Sequence, residues 1–180
     1  MFGSLGDIFR LPDLKRRIFF TIFILFIFRL GAYIPSPGVD RAALANLFST
    51  GGGVMDFLNL FSGGALSRFG IFSLGVAPYI NSSIVMQLLV VIFPYLEKLQ
   101  KDSADGHKKI TQWTRYGAVV FAVVQAIGMT AWLRGLGIMQ GGFFDWLLVI
   151  ITLVSGSVAV MWLGEELTDH GIGNGISLLI

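Results

Sequence analysis

Glu165 and Glu166 are the one adjacent pair of carboxylates in the 180-residue chain. Acid–base catalysis needs two such groups aimed at a common substrate, and neighbours on a helix diverge by about 100°. The pair therefore suits a polar helix terminus better than proton transfer. His107 and His170 lie far apart in polar segments and read as solvated residues rather than a metal pair. The absence of cysteine removes any disulfide framework or thiolate zinc site. "GIGNGIS" (171–177) does not fit G-x-G-x-x-G, and no apolar strand precedes it, so it reads as a tight turn. Asn81-Ser82-Ser83 has the form of a glycosylation acceptor but lies inside a long apolar run. No Ser/Lys, Ser/His or paired-Asp constellation is visible in the apolar runs, as an intramembrane protease would require. The sequence predicts no catalytic residue, no metal, no cofactor and no enzyme. What stands out is different in kind: the uncharged run 71–96 carries Gly75, Pro78, Asn81, Ser82, Ser83 and Gln87.

The elements that must hold these residues are set by hydropathy. The chain is 54% hydrophobic and 13% charged, against about 25% charged in a typical soluble domain. The fold class expected is an all-α, polytopic membrane bundle. Spans are expected at 18–34, 71–96, 116–133 and 146–164, with Trp146 and Trp162 as interfacial anchors. Pro35 and Pro37 end the first, and Arg29 snorkels near its far end. Residues 171–180 read as the start of a fifth span, cut early, and the chain as part of a longer protein. The first apolar run follows Lys15-Arg16-Arg17 and lacks a small-x-small cleavage site, so it is not read as a signal peptide.

Lys and Arg set orientation. Arg10, Lys15, Arg16 and Arg17 fall in 1–17, and Lys98, Lys101, Lys108, Lys109 and Arg115 in 97–115. Segment 35–70 holds only Arg41 and Arg68, and 134–145 only Arg134. Alternation then places the N-terminal segment 1–17 and loop 97–115 in the cytoplasm, and 35–70 outside. Loop 165–170 falls on the cytoplasmic side without basic residues of its own. Loop 97–115 has two readings, a solvated topogenic loop or a docking site for an anionic partner such as ribosomal RNA.

The external connection 35–70 is not empty. Asp40 before "RAALANLF" predicts a capped short helix. After Gly51-Gly52-Gly53, segment 56–69 has Asp56 at an N-cap position with Phe57, Leu58, Leu60 and Phe61 behind it. It is too short to span and too apolar for water. It is either folded back into the protein or laid on the outer surface as an amphipathic helix.

"FRLGAYIPSPGVD" (28–40), "FLNLFSGGALSRFGIFSLGVAPYI" (57–80), "TRYG" (114–117) and "MWLGEELTDHGIGNGISLLI" (161–180) together resemble the SecY family, the channel subunits of the bacterial protein translocase. The resemblance runs from about Leu14 to Ile180, and "LFSGGALSR" with "GEELTDHGIGNGIS" is its most specific part. It implies the N-terminal half of a ten-helix channel of two pseudo-symmetric halves, with a re-entrant plug helix. It implies a function in conducting unfolded preproteins across the bacterial cytoplasmic (inner) membrane and releasing transmembrane segments sideways into lipid. Expected partners are SecE-type and SecG-type subunits, a SecA-type ATPase or ribosome, the preprotein with its signal sequence, and membrane lipid.

Site residues follow by the same resemblance. Val76 and Ile80 match pore-ring positions, and Ile84 extends their stripe. Asp56, Phe57, Leu60, Phe61, Gly63, Gly64 and Arg68 belong to the plug, and Asn81, Ser82, Ser83 and Gln87 to a lateral gate. From spacing alone, the stripe at 76, 80 and 84 reads first as ordinary helix packing. Pro78 is expected to loosen the helix near Gly75. The rival function is a small-molecule secondary transporter, which broken helices suit. The lack of Asp, Glu, Lys or His in mid-span stands against it.

Overall fold

The computed structural model describes residues 12–50, 53, 68–102, 104–139 and 141–180. They form α1 (Pro12–Tyr33), α2 (Arg41–Thr50), α3 (Ala77–Ile92), α4 (Pro94–Asp102), α5 (Ala104–Gly135), α6 (Phe143–His170) and α7 (Gly175–Leu179). Among the described residues there is no strand, and Pro35 pairs with Gly70 in an isolated antiparallel bridge.

α6 is the axis of the fold, with α1, α5 and α7 packed on it. Its buried positions, among them Val149, Leu153, Gly156, Val160, Leu163 and Leu167, recur every three to four residues and so form a continuous stripe. Toward its N-terminal end, Val149 and Leu153 pack with Leu44 of α2, Phe69, Ala126 and Leu133 of α5, and Ile138. Toward its C-terminal end, Val160, Leu163 and Leu167 pack with Ile24 of α1, Phe72, Val76 and Leu179 of α7. α5 presents Thr114, Ala118, Ala122, Ala126 and Thr130, all buried, at intervals of four. Small side chains let helix backbones approach closely where dispersion replaces the hydrophobic effect, and α5 lies between α3 and α6.

Local sequence explains most boundaries. Asp40 Oδ1 accepts from the N–H groups of Ala42 (2.9 Å) and Ala43 (3.3 Å), capping α2. Asp145 Oδ2 accepts from Gly142 N–H at 3.0 Å at the start of α6. Asn174 Oδ1 accepts from Ile176 (3.1 Å) and Ser177 (3.3 Å) at α7, so "GIGNGIS" is a turn with its own cap. Pro94 opens α4 after extended Phe93, since a residue before proline avoids the helical region.

Three segments differ from the sequence expectation. Helix covers most of 97–115, through the end of α4 and the start of α5, where a flexible loop was expected. Helix α6 continues to His170, so 165–170 is helical where a loop was expected, and Glu165 and Glu166 lie in its last turns, a polar helix terminus. The run 71–96 is not one helix: 71–76 are turns, α3 begins at Ala77, and Phe93 separates it from α4. Lys108–Gly135 and Phe143–His170 are long and apolar enough to cross a membrane, while Ala77–Ile92 is apolar but shorter.

Candidate channel wall

The residues singled out in 71–96 divide at the break before α3. Phe69 and Gly75 both have positive φ, +46° and +53°, the left-handed region that turns the chain sharply and favours glycine. Irregular backbone at membrane depth must find internal partners. Here it does. The Ser36 N–H donates to Phe69 O (2.8 Å) and the Ile71 N–H to Ile34 O (2.9 Å). The Ser73 hydroxyl donates to Gly70 O at 2.6 Å, and Ser157 of α6 reaches Gly75 O at 3.3 Å. α6 accommodates the segment through Gly156, where a Cβ would collide with the Ile71 carbonyl oxygen. Pro78 sits in the first turn of α3, where its missing N–H costs nothing. It therefore starts the helix, and the expected loosening of a helix around it does not arise.

Val76, Ile80 and Ile84 do not share one environment. Val76, the N-cap residue of α3, is 6% exposed and packs with Phe72, Val160 and Leu163. Ile80 is half-buried against the same cluster, while Ile84 is 50% exposed. Asn81, Ser82 and Ser83 point in different directions, as steps of about 100° require, while Gln87, four residues after Ser83, shares its face. Asn81 is exposed. Ser82 is 2% exposed and donates to Thr114 O of α5 at 2.7 Å. A Cβ at Gly117 would strike its hydroxyl, so that glycine makes the close approach possible. Ser83 donates to Ile80 O of its own helix at 2.9 Å. Gln87 lies beside Tyr79, Ser83, Met86, Ile110 and Thr111 along a groove between α3 and α5. Asp56, Phe57, Leu60, Phe61, Gly63 and Gly64 lie outside the described residues. Arg68 is described: its guanidinium stands 4.2 Å from the Tyr33 ring centroid.

One contact was missed from sequence. Arg115 Nε meets Glu165 Oε1 at 2.7 Å, joining α5 to α6, with the Glu165 side chain 15% exposed and Arg115 47%. Fifty residues separate the two, so no local pattern announces the pair. Arg17 donates to Gly171 O at 3.2 Å, so the basic end of α1, Arg115, Glu165 and the "GIGNGIS" turn share one end of the bundle. The opposite end gathers Asp40, whose N–H donates to Ile138 O at 3.2 Å, and the 136–139 connection after α5.

Long apolar helices exposing Phe, Ile, Leu and Val, around a buried irregular entry to a shorter helix, fit an all-α membrane bundle. The comparisons make the assignment particular. The chain belongs to the SecY family, whose model matches residues 70–180. It is 47% identical over 176 residues to protein translocase subunit SecY of Escherichia coli K12, covering 94% of this chain and 40% of that protein. It is 46% identical over 172 residues to the subunit of Pseudomonas aeruginosa, covering 94% and 39%. The chain thus spans about two-fifths of the length of the curated relatives it matches. Among solved structures, Sec61 in the canine ribosome–channel complex of the endoplasmic reticulum superposes with a TM-score of 0.62 at 19% identity, covering 92% of this chain and 35% of that one. A SecY channel whose plug domain stabilises the closed state and maintains a membrane seal superposes at 0.61 with 22% identity, covering 91% and 34%. At that identity the structures show a common fold.

Proposed function

We propose that the chain forms the N-terminal half of a protein-conducting channel subunit in the bacterial cytoplasmic membrane, passing unfolded preproteins across it and apolar segments sideways into lipid. The observation that carries this is the 47% identity to a translocase subunit across 94% of the chain. The buried irregular segment 69–76 brings Val76 to the head of α3, where Val76 and Ile80 pack on the same cluster of Phe72, Val160 and Leu163; their assignment to the pore ring rests on the family resemblance. Branched apolar side chains at a constriction exclude hydrated ions yet yield to a passing chain. Segment 56–69 is the plug beneath them, and Asn81, Ser83 and Gln87 belong to the gate edge of α3. Ser82 holds that edge to α5. The subunit works with SecE-type and SecG-type partners and with a SecA-type ATPase or a ribosome. Its N-terminus and the 97–115 segment face the cytoplasm.

The test is resting ion conductance of the full-length protein in planar bilayers. Replacing Val76 and Ile80 together by Gly, or deleting 57–67, raises leakage. Unchanged leakage in both variants overturns the gate assignment and returns 56–69 to the outer surface. Orientation is read separately, by labelling Ser103→Cys with a membrane-impermeant thiol reagent, which reacts from the cytoplasmic side alone.

A further inference from the structure

The start of α1 and the end of α6 enclose a cleft of about 800 Å³. Both signs of charge line it. Arg16 and Arg17 come from α1, and Glu166 and Asp169 from the last turns of α6, with Asp13 adding a carboxylate on the α1 side. The rest of the lining is aromatic, chiefly Phe19, Phe20 and Phe23. Two contacts hold the helices at this spacing. Arg17 donates to Gly171 O at 3.2 Å, and the Phe20 ring meets His170 edge-on with centroids 5.8 Å apart.

Arg17 is thus engaged with the turn after α6, and the exposed Arg16 is the cation that a ligand would meet. Glu166 meets His170 Nδ1 at 3.1 Å through Oε2. Its second oxygen can accept further bonds, and Asp169 beside it is exposed. A second groove, of about 490 Å³, runs along α1 past Lys15, Arg16, Ile18, Phe19 and Ile22. Arg16 and Phe19 line both grooves. Beyond them Ile22, Phe23 and Phe26 are more than half exposed, at the spacing of one helix face.

We propose that the α1–α6 cleft binds the zwitterionic headgroup of an aminophospholipid such as phosphatidylethanolamine. Its phosphate sits on Arg16, its primary ammonium on Asp169 and Glu166, and its two acyl chains in the two grooves that meet at Phe19. A guanidinium edge matches phosphate oxygens in paired, charge-assisted hydrogen bonds. A primary ammonium brings three N–H donors to the carboxylates, and the C-terminal end of α6 favours a cation there. Phosphatidylglycerol carries the phosphate without the cation. Phosphatidylcholine carries a cation without N–H donors. The paired grooves and the exposed stripe beyond them select a two-chain lipid over a soluble zwitterion. The site requires a bilayer around α1 and no translocation activity.

The test uses the full-length protein with Phe26→Cys as its single cysteine, carrying a bimane fluorophore. The nanodiscs are of digalactosyldiacylglycerol, a bilayer lipid without phosphate or charge. Phosphatidylethanolamine, phosphatidylcholine or phosphatidylglycerol with brominated acyl chains is then added in increasing fraction. Phosphatidylethanolamine is expected to reach half-maximal quenching at about one-third of the mole fraction the other two need, the effect of an exposed ion pair. Glu166→Gln with Asp169→Asn is expected to remove that advantage. Arg16→Gln is expected to raise the fraction needed of all three lipids by about fivefold, the effect of one interfacial basic residue. Thermal unfolding of the variants in detergent separates loss of the site from loss of fold, and the ranking of lipids on the unsubstituted site needs no variant. Equal quenching by the three lipids overturns the proposal, as does tighter binding of phosphatidylglycerol or an advantage that survives loss of both carboxylates. Absence of quenching by any of them overturns it by showing that another part of the channel covers this face. Abolition of the advantage by millimolar phosphoethanolamine overturns it in favour of a soluble ligand.

Discussion

The stretch 69–92 and helix α6 are built from similar material and fold differently. Both contain long uncharged runs with glycine and serine inside them. α6 runs unbroken from Phe143 to His170, whereas 71–76 are turns and helix begins only at Ala77. The difference lies in what the glycines do. Gly156 and Gly164 of α6 stay helical and serve as clearances, for Ile71 and for Ile176 and Leu179 of α7. Gly75 instead takes a φ of +53° with space around it, the nearest atom to a would-be Cβ being the Phe72 carbonyl oxygen of its own turn at 3.9 Å. One kind of glycine makes room for a neighbour, and the other turns the chain. The two regions also depend on each other, since the irregular segment fits against α6 only because Gly156 lacks a side chain.

The comparison can be broken at that point first. Gly156→Val puts a branched side chain against the Ile71 carbonyl, and is expected to destabilise the full-length protein by about 3 kcal/mol or more. Gly128→Ala in α5, where nothing stands within 4 Å, is the matched control and is expected to be neutral or slightly stabilising. Thermal or denaturant unfolding in detergent measures both, and equal effects would show that Gly156 is not a contact point.

A smaller effect is expected at the turn itself. Gly75→Ala meets no steric obstacle, so its cost is conformational, roughly 1–2 kcal/mol for holding a Cβ in the left-handed region. The same measurement on Gly75→Asn, which tolerates that region better, is expected to recover part of the loss. Failure to recover would mean that space rather than φ is limiting.

The smallest effect sharpens the contrast between neighbours in α3. Ser82→Ala removes the 2.7 Å bond to α5 and is expected to cost about 0.6–1.7 kcal/mol, the range of interhelical hydrogen bonds in membranes. Ser83→Ala removes a bond within its own helix and is expected to change stability by less. A reversed order would undo the assignment of Ser82 as the tie between α3 and α5.

Much of this molecule is legible in its sequence. Apolar runs give an all-α membrane fold, and the motifs near 57–80 and 161–180 give the family. Asp40 marks a helix start that its side chain does cap. The helical character of 97–115 was hidden because its polar composition is that of a loop. Packing of α4 and the first turns of α5 against α3 and each other overrides it. Pro78 was read as a fault inside a helix because hydropathy marks a run without marking where the helix in it begins. The Arg115–Glu165 pair has no local signature at all.

By itself the sequence determined which segments avoid water, because transfer free energy is a sum over side chains and needs no partner to be defined. It determined family membership for the same reason that spaced motifs are local records. The tertiary structure decided how one uncharged run divides into turns and helix, since that choice depends on carbonyls and N–H groups finding partners at Ile34 and Ser36, just past α1, and on α6. It decided that Ser82 faces α5 while Asn81 faces outward, and that Val76 is buried where Ile84 is exposed. Those outcomes are set by where α3 begins and by which neighbour leaves a gap at Gly117 and Gly156, and no window of sequence around α3 contains either fact.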